Sequence, residues 1–313
     1  MAEKISKAWP NKNLVDLSIV IISFNIKKLT KECIESVIKN TKAITYEFVV
    51  VDNDSKDGSV EMLQKLKNSK TQKLQLIFNK DNRGFGQANN QGMEISNGRY
   101  VLLLNSDTLV KSNVLGEIVS WMDKHPKAGI ASCGLRFKDG KVQGTGGYFP
   151  TLSRVFAWMT FLDDIPGVMK LIKPFHPMHG LSPFDKNIDF FRKEKQMDWV
   201  TGAFLLMRKE IYDEVGGFDK AYFMYVEEVD LCFRAKVAGW QVWYLPRWNI
   251  IHYGGASSTA EFPLINEVKS LKTFYQLRMP KWQYPILRVI LKFGALLRIP
   301  IFGKVYAKVF VTA

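Results

Sequence analysis

The 313-residue sequence predicts an α/β fold in which a mainly parallel central sheet is flanked by helices. Three observations predict it. Strand-like and helix-like segments alternate from Leu17 to Leu104, the rhythm of parallel strands joined by crossover helices. The first two strand segments are short apolar runs rich in β-branched residues, as in strands buried on both faces. Each run ends in polar residues, and ligands of open parallel sheets bind outside the carboxyl ends of the strands.

The elements follow in order. Leu17–Phe24 is the first buried strand, and the apolar spacing of Leu29, Cys33, Val37 and Ile38 predicts a helix over Thr30–Thr41. Phe48–Asp52 is the second strand. After the turn-rich Asn53–Gly58, Ser59–Leu66 reads as a helix. Leu74–Phe78 is the third strand, Asn79–Gly86 a glycine-containing loop and Gln87–Ile95 a helix. Tyr100–Leu104 is the fourth strand, ending at Asn105-Ser106-Asp107. Residues 151–195 mix aromatics, prolines and charges without a clear period and read as a flexible or acceptor-facing insertion. Asp198–Met207 reads as a strand, Val229–Ala238 as a helix, and Gln241–Leu245 and Ile250–His252 as two short strands.

Composition narrows the function classes. A hydrophobic fraction of 47% with 24% charged residues argues against disorder and low complexity. Three scattered cysteines without a CxxC pair argue against a disulfide framework or a zinc site. The formal charge of +14 is the unusual quantity. Residues 264–313 hold nine Lys/Arg and one acid, Glu267, so eight of the fourteen surplus charges fall there. The polar start, Met1–Asp16, has no apolar run of the signal-peptide kind. No uncharged apolar run reaches the roughly 18–20 residues that cross a bilayer. A cytoplasmic protein is expected, peripheral at the inner face of the cell membrane.

Several groups could carry chemistry. Asp52 at a strand end could accept hydrogen bonds from a base or ribose, or simply cap the turn that follows. Asp107 offers a carboxylate of the kind that hard divalent cations take alongside substrate phosphates, or belongs to an ordinary strand-end turn. The Asn79–Gly86 loop offers amides, Arg83 and close backbone approach to a diphosphate. It contains no Walker A lysine and no GxGxxG pattern, which disfavours ATP or dinucleotide binding of those kinds. Glu227 and Glu228 are adjacent acids that can raise one another's pKa, as a general base requires. Acids at a helix start also serve the helix dipole, and Asp230 is assigned mainly to that role. His252 follows a short strand and becomes a metal-ligand candidate only alongside Asp107.

Taken in order, Ile22–Asn25, Val51–Ser59, Asn79–Asn90, Leu104–Thr108, Trp199–Ala203, Phe223–Arg234 and His252–Ser257 make the chain resemble the family 2 glycosyltransferases of the GT-A fold, over roughly residues 15–260. It looks most like their bacterial rhamnosyltransferase branch. The resemblance implies a Rossmann-like sheet and an inverting transfer from a nucleotide-diphospho-sugar, with dTDP-rhamnose favoured over a UDP-sugar. It implies a glycan or polyprenyl-linked acceptor in cell-surface polysaccharide synthesis. By the same resemblance Ser23, Asn25 and Asp52 hold base and ribose, and Asn82, Arg83 and Gly84 line the nucleotide-sugar pocket. Asn105 and Ser106 also bind the nucleotide-sugar, Asn105 through its ribose or phosphate, while Asp107 and His252 bind Mg²⁺ or Mn²⁺. Trp199 and Gly202 shape the sugar and acceptor pocket. The acid pair supplies the base. Two departures stand out: the metal motif has Asp107 as its only carboxylate, and Glu228 stands where Asp is usual, so the base is Glu228 or Glu227.

The resemblance partitions the chain into an N-terminal extension (1–15), a catalytic domain (16–260) and a basic C-terminal helical region (261–313). At 100° per residue, Lys281, Arg288 and Lys292 fall within about 40° of one another, and Ile286, Val289, Ile290, Phe293, Leu296 and Leu297 lie elsewhere on the helix. Pro285 fits a first turn, and Pro300 is expected to stop the helix. This region either lies on an anionic membrane surface or packs on the domain. A nucleotidyltransferase is disfavoured because Asn25–Lys28 has no glycine, and a nucleic-acid-binding protein because no recognition motif is present.

Overall fold

Alternate residues of a single strand feed two different cores in the computed structural model, which describes residues 15–68, 73–165, 167–177, 188–254 and 261–313. In β1 (Leu17–Ser23), Ile19 and Ile21 enter one hydrophobic cluster and Val20 the other, as the period of two requires. The chain continues through α1 (Lys27–Asn40), β2 (Tyr46–Asp52), α2 (Ser59–Asn68), β3 (Lys73–Phe78), α3 (Gly84–Glu94) and β4 (Tyr100–Leu104). These four strands are parallel in the order β3-β2-β1-β4. The chain direction across the sheet reverses between β1 and β4, the switch point at which such sheets bind ligands.

Next come β5 (Thr108–Leu109), α4 (Val114–Lys124), β6 (Ala128–Arg136), β7 (Val142–Gln143), β8 (Gly146–Gly147), α5 (Leu152–Met159) and α6 (Val168–Leu171). They are followed by β9 (Lys195–Met197), β10 (Trp199–Val200), β11 (Phe204–Arg208), α7 (Lys209–Val215), α8 (Glu227–Val237) and β12 (Gln241–His252). The sheet is completed as β4-β11-β6-β12-β5, with β11 antiparallel to both neighbours and β12 parallel to β6. Helices α1, α2 and α4 cover one face, while α3, α7 and α8 cover the other.

Several expectations are corrected. The Asp198–Met207 run is two strands broken at Thr201-Gly202. Helix α3 begins at Gly84, so the preceding loop is shorter than its glycines suggested. Gly84 has φ +76°, and a Cβ there would lie 2.7 Å from the Phe223 carbonyl oxygen, so glycine is required. β12 is one strand with an irregularity between Leu245 and Asn249, around Pro246. Strand β6 and helix α4 had no reading in the sequence. The 151–195 stretch is not simply a flexible insertion: Val155, Trp158 and Met159 of α5 are buried in the main core. Residues 1–14, 178–187 and 255–260 lie outside the described residues, and with them nearly all of the N-terminal extension and the end of the His252–Ser257 motif.

The C-terminal helices α9 (Glu261–Arg278), α10 (Gln283–Phe302) and α11 (Lys304–Thr312) share that core through Val268, Leu271, Phe274, Leu287, Leu291 and Val309. Leu287, Leu291, Gly294, Ala295 and Arg298 are the buried face of α10. Gly294 lets α10 approach α5, since a Cβ would lie 2.4 Å from that of Met159. Arg298 is fully buried: its guanidinium donates to the carbonyls of Met159 and Trp158 at the end of α5 and to Tyr306 Oη. Pro300 does not stop α10, which runs to Phe302 and ends at Gly303 with φ +69°. Arg278 joins α9 to α8, donating to Asp230 Oδ1 at 2.5 Å and Asp219 Oδ2 at 2.7 Å. Asp230, assigned from sequence to the helix dipole, is the buried hub of this clamp and also accepts from Arg234 and Tyr222.

Candidate active site

A cleft of about 360 Å³ opens at the carboxyl ends of β1 and β4. A wider groove of about 480 Å³ beside α1 and β5 holds none of the predicted site residues. The cleft is lined by nine of those predicted from sequence: Asn82, Gly84, Asn105, Ser106, Asp107, Gly202, Glu227, Glu228 and His252. Ser23, Asn25, Asp52, Arg83 and Trp199 do not line it. Ser23 is buried beneath the floor beside Asp52, its register partner. Asn25, at φ +54°, accepts from the Lys56 N–H and so orders a turn. Asp52 Oδ1 accepts from the Ser55 N–H at 2.8 Å, while its buried Oδ2 has no partner. Arg83 pairs with Asp81 at the surface. Trp199 is buried against Phe175 and His176, its indole N–H donating to the Tyr148 carbonyl.

One end of the cleft is fully partnered. The two-residue β5 pairs antiparallel with the end of β12, setting His252 opposite Thr108 and hence beside Asp107. Asp107 Oδ1 lies 3.3 Å from His252 Nε2, and Asp107 Oδ2 accepts from the Gly254 N–H at 3.1 Å. Gln143 orients the ring: its amide nitrogen donates to the His252 carbonyl, which leaves its Oε1 facing Nδ1 at 2.8 Å. Nδ1 so placed carries a ring proton, and Nε2 faces both Asp107 Oδ1 and the Asn105 amide nitrogen, each at 3.3 Å. A proton or a metal ion shared between Nε2 and Oδ1 holds these two atoms together. Their 3.3 Å separation suits neighbouring ligands of one hard ion. Among the described residues no group of three or more His, Cys, Asp and Glu converges, so the donor set is this pair. It fits an ion that takes its remaining ligands from diphosphate and water. Burial works against a charged Asp107, but the His252 ring and the Gly254 N–H outweigh it and hold the carboxyl below its usual range.

The opposite end is built differently. Tyr225 and Val226 both have left-handed backbones, φ +67° and +66°, immediately before α8. For a β-branched residue this is strained, at about 1–3 kcal/mol each. The turn delivers Glu227 and Glu228 as the first residues of α8, against the cleft. Each has a buried Oε2 with no hydrogen-bond partner. Burial pushes Glu228 up to about 7; Glu267 adds to the shift, while the N–H of Gly202 and the His176 ring oppose it. Burial and the neighbouring Glu228 push Glu227 well above the carboxylate range. A carboxyl near 7 can take a proton at neutral pH, as a general base must.

Sequence reasoning missed other contributors. Asn53 lines the cleft, donates to Asn82 Oδ1 and Gly84 O, and accepts from Asn79, so it holds the 79–84 loop. It stands next to Asp52 in a motif already singled out. Phe85 covers Gly202, where a Cβ would lie 2.9 Å from the ring. Gln143 and the His176–Glu267 ion pair carry no local signal; only the folded chain brings them here.

A mostly parallel sheet with helices on both faces and a polar cleft at the switch point is the GT-A architecture of glycosyltransferases. The sequence profile of glycosyl transferase family 2 matches residues 18–216, more than half of the chain, and the protein belongs to that family. It is 27% identical over 265 residues to the N-acetylglucosaminyl-diphospho-decaprenol L-rhamnosyltransferase of Mycobacterium tuberculosis, covering 80% of this chain and 81% of that one. It is 28% identical over 181 residues to rhamnosyltransferase WbbL of Escherichia coli, covering 54% and 61%. Among solved structures it resembles the mannosyltransferase PcManGT of Pyrobaculum calidifontis in complex with GDP-Man and Mn²⁺, with TM-score 0.56 at 13% identity over 98% of this chain and 90% of that one. GalNAc-T7 with UDP, GalNAc and Mn²⁺ gives TM-score 0.58 at 15% identity, over 96% of this chain and 55% of that one. At such identities these two likenesses speak for the fold alone.

Proposed function

We propose that the protein transfers a sugar from a nucleotide-diphospho-sugar to a hydroxyl of a glycan or lipid-linked acceptor in one inverting displacement. The observation that carries this reading is the presence in one cleft of the Asp107–His252 pair and the raised carboxyl of Glu228. The nucleoside lies over the ends of β1 and β2, where Asp52, Ser23 and Asn25 order the turns and Phe24, Ile26 and Asn53 line the cleft. Asp107 and His252 hold Mg²⁺ or Mn²⁺. When bound, that ion offsets charge on the departing diphosphate. Asn105 and Ser106 border the diphosphate, while Gly202 and Phe85 shape the sugar's side.

Glu228 takes the proton of the acceptor hydroxyl as its oxygen attacks the anomeric carbon. Glu227 stands beside it, its carboxyl raised well above the usual range by burial and by the neighbouring Glu228. The rhamnosyltransferase relatives favour dTDP-rhamnose as donor, ahead of a UDP-sugar. A polyprenyl-linked acceptor accords with the decaprenol substrate named for the M. tuberculosis relative. We place the reaction at the cytoplasmic face of a membrane, where such an acceptor is held. Among the described residues no helix is long and apolar enough to cross a membrane. A thermal-shift screen of nucleotide-sugars with Mn²⁺ tests the reading. dTDP-rhamnose is expected to raise Tm most, and no response to any nucleotide-sugar overturns it.

A further inference from the structure

Helix α10 is apolar on two opposite sides. One side is the face packed on α5. On the other, Trp282, Ile286, Val289, Phe293, Leu296 and Leu297 are 41–67% exposed. At 100° per residue these six lie within about 100° of arc, centred opposite the buried Leu291. Docking on the domain therefore consumes one apolar face and leaves the other in solvent, so packing on the domain and lying on a membrane do not compete for the same face. The internal segment joins the surface: Phe156 of α5, 39% exposed, lies nearly parallel to Phe293, with ring centroids 6.4 Å apart.

Charge selects the occupant. Lys281, Arg288 and Lys292 run along one edge of the stripe, and Lys304 is exposed on α11. Neither α10 nor α11 contains an acid. A second copy packed stripe to stripe would bring only like charges together around the seam. An anionic lipid surface supplies both the missing counter-charge and an apolar layer for the side chains.

We propose that the outward stripe of α10, together with Phe156, is the surface by which this protein lies on an anionic bilayer. The proposal rests on the membrane-held acceptor of the preceding reading and gives it a location on the molecule. The helix lies in the interface with its stripe among the headgroups and upper acyl chains, and its basic edge against phosphate.

Co-sedimentation of the full chain with vesicles tests it, without donor or acceptor. Vesicles of phosphatidylglycerol and phosphatidylcholine are expected to retain the protein, and phosphatidylcholine alone to retain it at least about tenfold less. The double variant Val289→Glu/Phe293→Glu is expected to lose about tenfold or more of the binding. Phe156→Glu should lose a smaller part, and Lys281→Gln/Lys304→Gln about tenfold. The single variant Val289→Glu, at the most exposed of these positions, repeats the test should the double variant unfold. Undiminished binding in the stripe variants overturns the proposal. So does a stripe-dependent dimer in sedimentation equilibrium that ignores vesicles. Glu228→Gln is expected to bind vesicles as wild type does, so this surface and the chemistry of the cleft fail separately.

Discussion

The two ends of the cleft use the same functional group in opposite ways. At the Asp107 end every polar atom of the carboxylate has a partner, and the group is held in its charged form. At the Glu228 end the carboxylate is buried with one oxygen unpartnered, and the charged form is disfavoured until about pH 7. The difference teaches how one fold sets a charged carboxylate and one of raised pKa from identical chemistry: local solvation and partners decide which form is favoured. The backbone shows the same division. Asp107 sits in an unstrained turn secured by β5 pairing, whereas Glu228 follows two consecutive left-handed residues. Strain beside a catalytic group persists only where surrounding contacts hold it. Here the holding is visible: the Asp230–Arg278 clamp ties α8 to α9, and Ser270 Oγ donates to the Met224 carbonyl just before the strained turn.

Breaking each end separately gives the largest effects. Glu228→Gln keeps shape and removes the proton acceptor, so kcat should fall by about a thousandfold, within the usual range for a lost general base. Nucleotide binding with Mn²⁺ should stay as it was. Transfer at the wild-type rate would show that the base lies elsewhere. Asp107→Ala strikes the other end, and calorimetry should show the Mn²⁺-dependent part of nucleotide binding gone. Binding unchanged by this substitution would dissolve the contrast between the two ends.

A smaller effect sharpens the metal end. Gln143 touches no substrate in this reading; it fixes the His252 tautomer. Removing such an orienting partner typically weakens a metal site 10–100-fold. Gln143→Leu is therefore expected to lower Mn²⁺ affinity about tenfold, raising the Mn²⁺ needed for half-maximal activity while leaving kcat at saturating metal nearly intact. An unchanged Mn²⁺ dependence would mean that the ring is oriented without it.

The fold was legible where periodicity is strong. Four strands, three of them buried and each followed by polar residues, specified the sheet and the cleft at their carboxyl ends, because each signal is local. Asp107, His252 and the acid pair, which share the cleft, were singled out through their order along the chain. What escaped was set by pairing between distant segments. No local pattern says that the run at 198–207 splits to make an antiparallel strand between β4 and β6. Nothing near Gln143 announces that it meets His252. Arg298 counted as one of the nine basic residues of the C-terminal region, yet it is buried against the end of α5. Helix α5 is only eight residues long, so its apolar spacing was lost in the aperiodic stretch around it.

The subtlest test concerns stability, and it asks whether Glu228 is as poorly solvated as its surroundings imply. Its folded pKa is raised from 4.5 to about 7. A group raised in the folded state contributes stability that is fully present below its unfolded pKa and is lost as pH rises through the folded value. Between pH 5 and pH 8 the wild-type protein must therefore either bury a charge or bind a proton, whereas Glu228→Gln does neither. The variant should come closest to the wild type near pH 5 and gain about 2–3 kcal/mol on it by pH 8, several degrees in Tm for a chain of this length. The same titration governs catalysis with the opposite sign, since kcat should rise as the proton leaves near pH 7. A Tm difference that stays flat from pH 5 to pH 8 would mean that Glu228 is solvated like an ordinary surface acid, and the contrast with Asp107 would lose its physical basis.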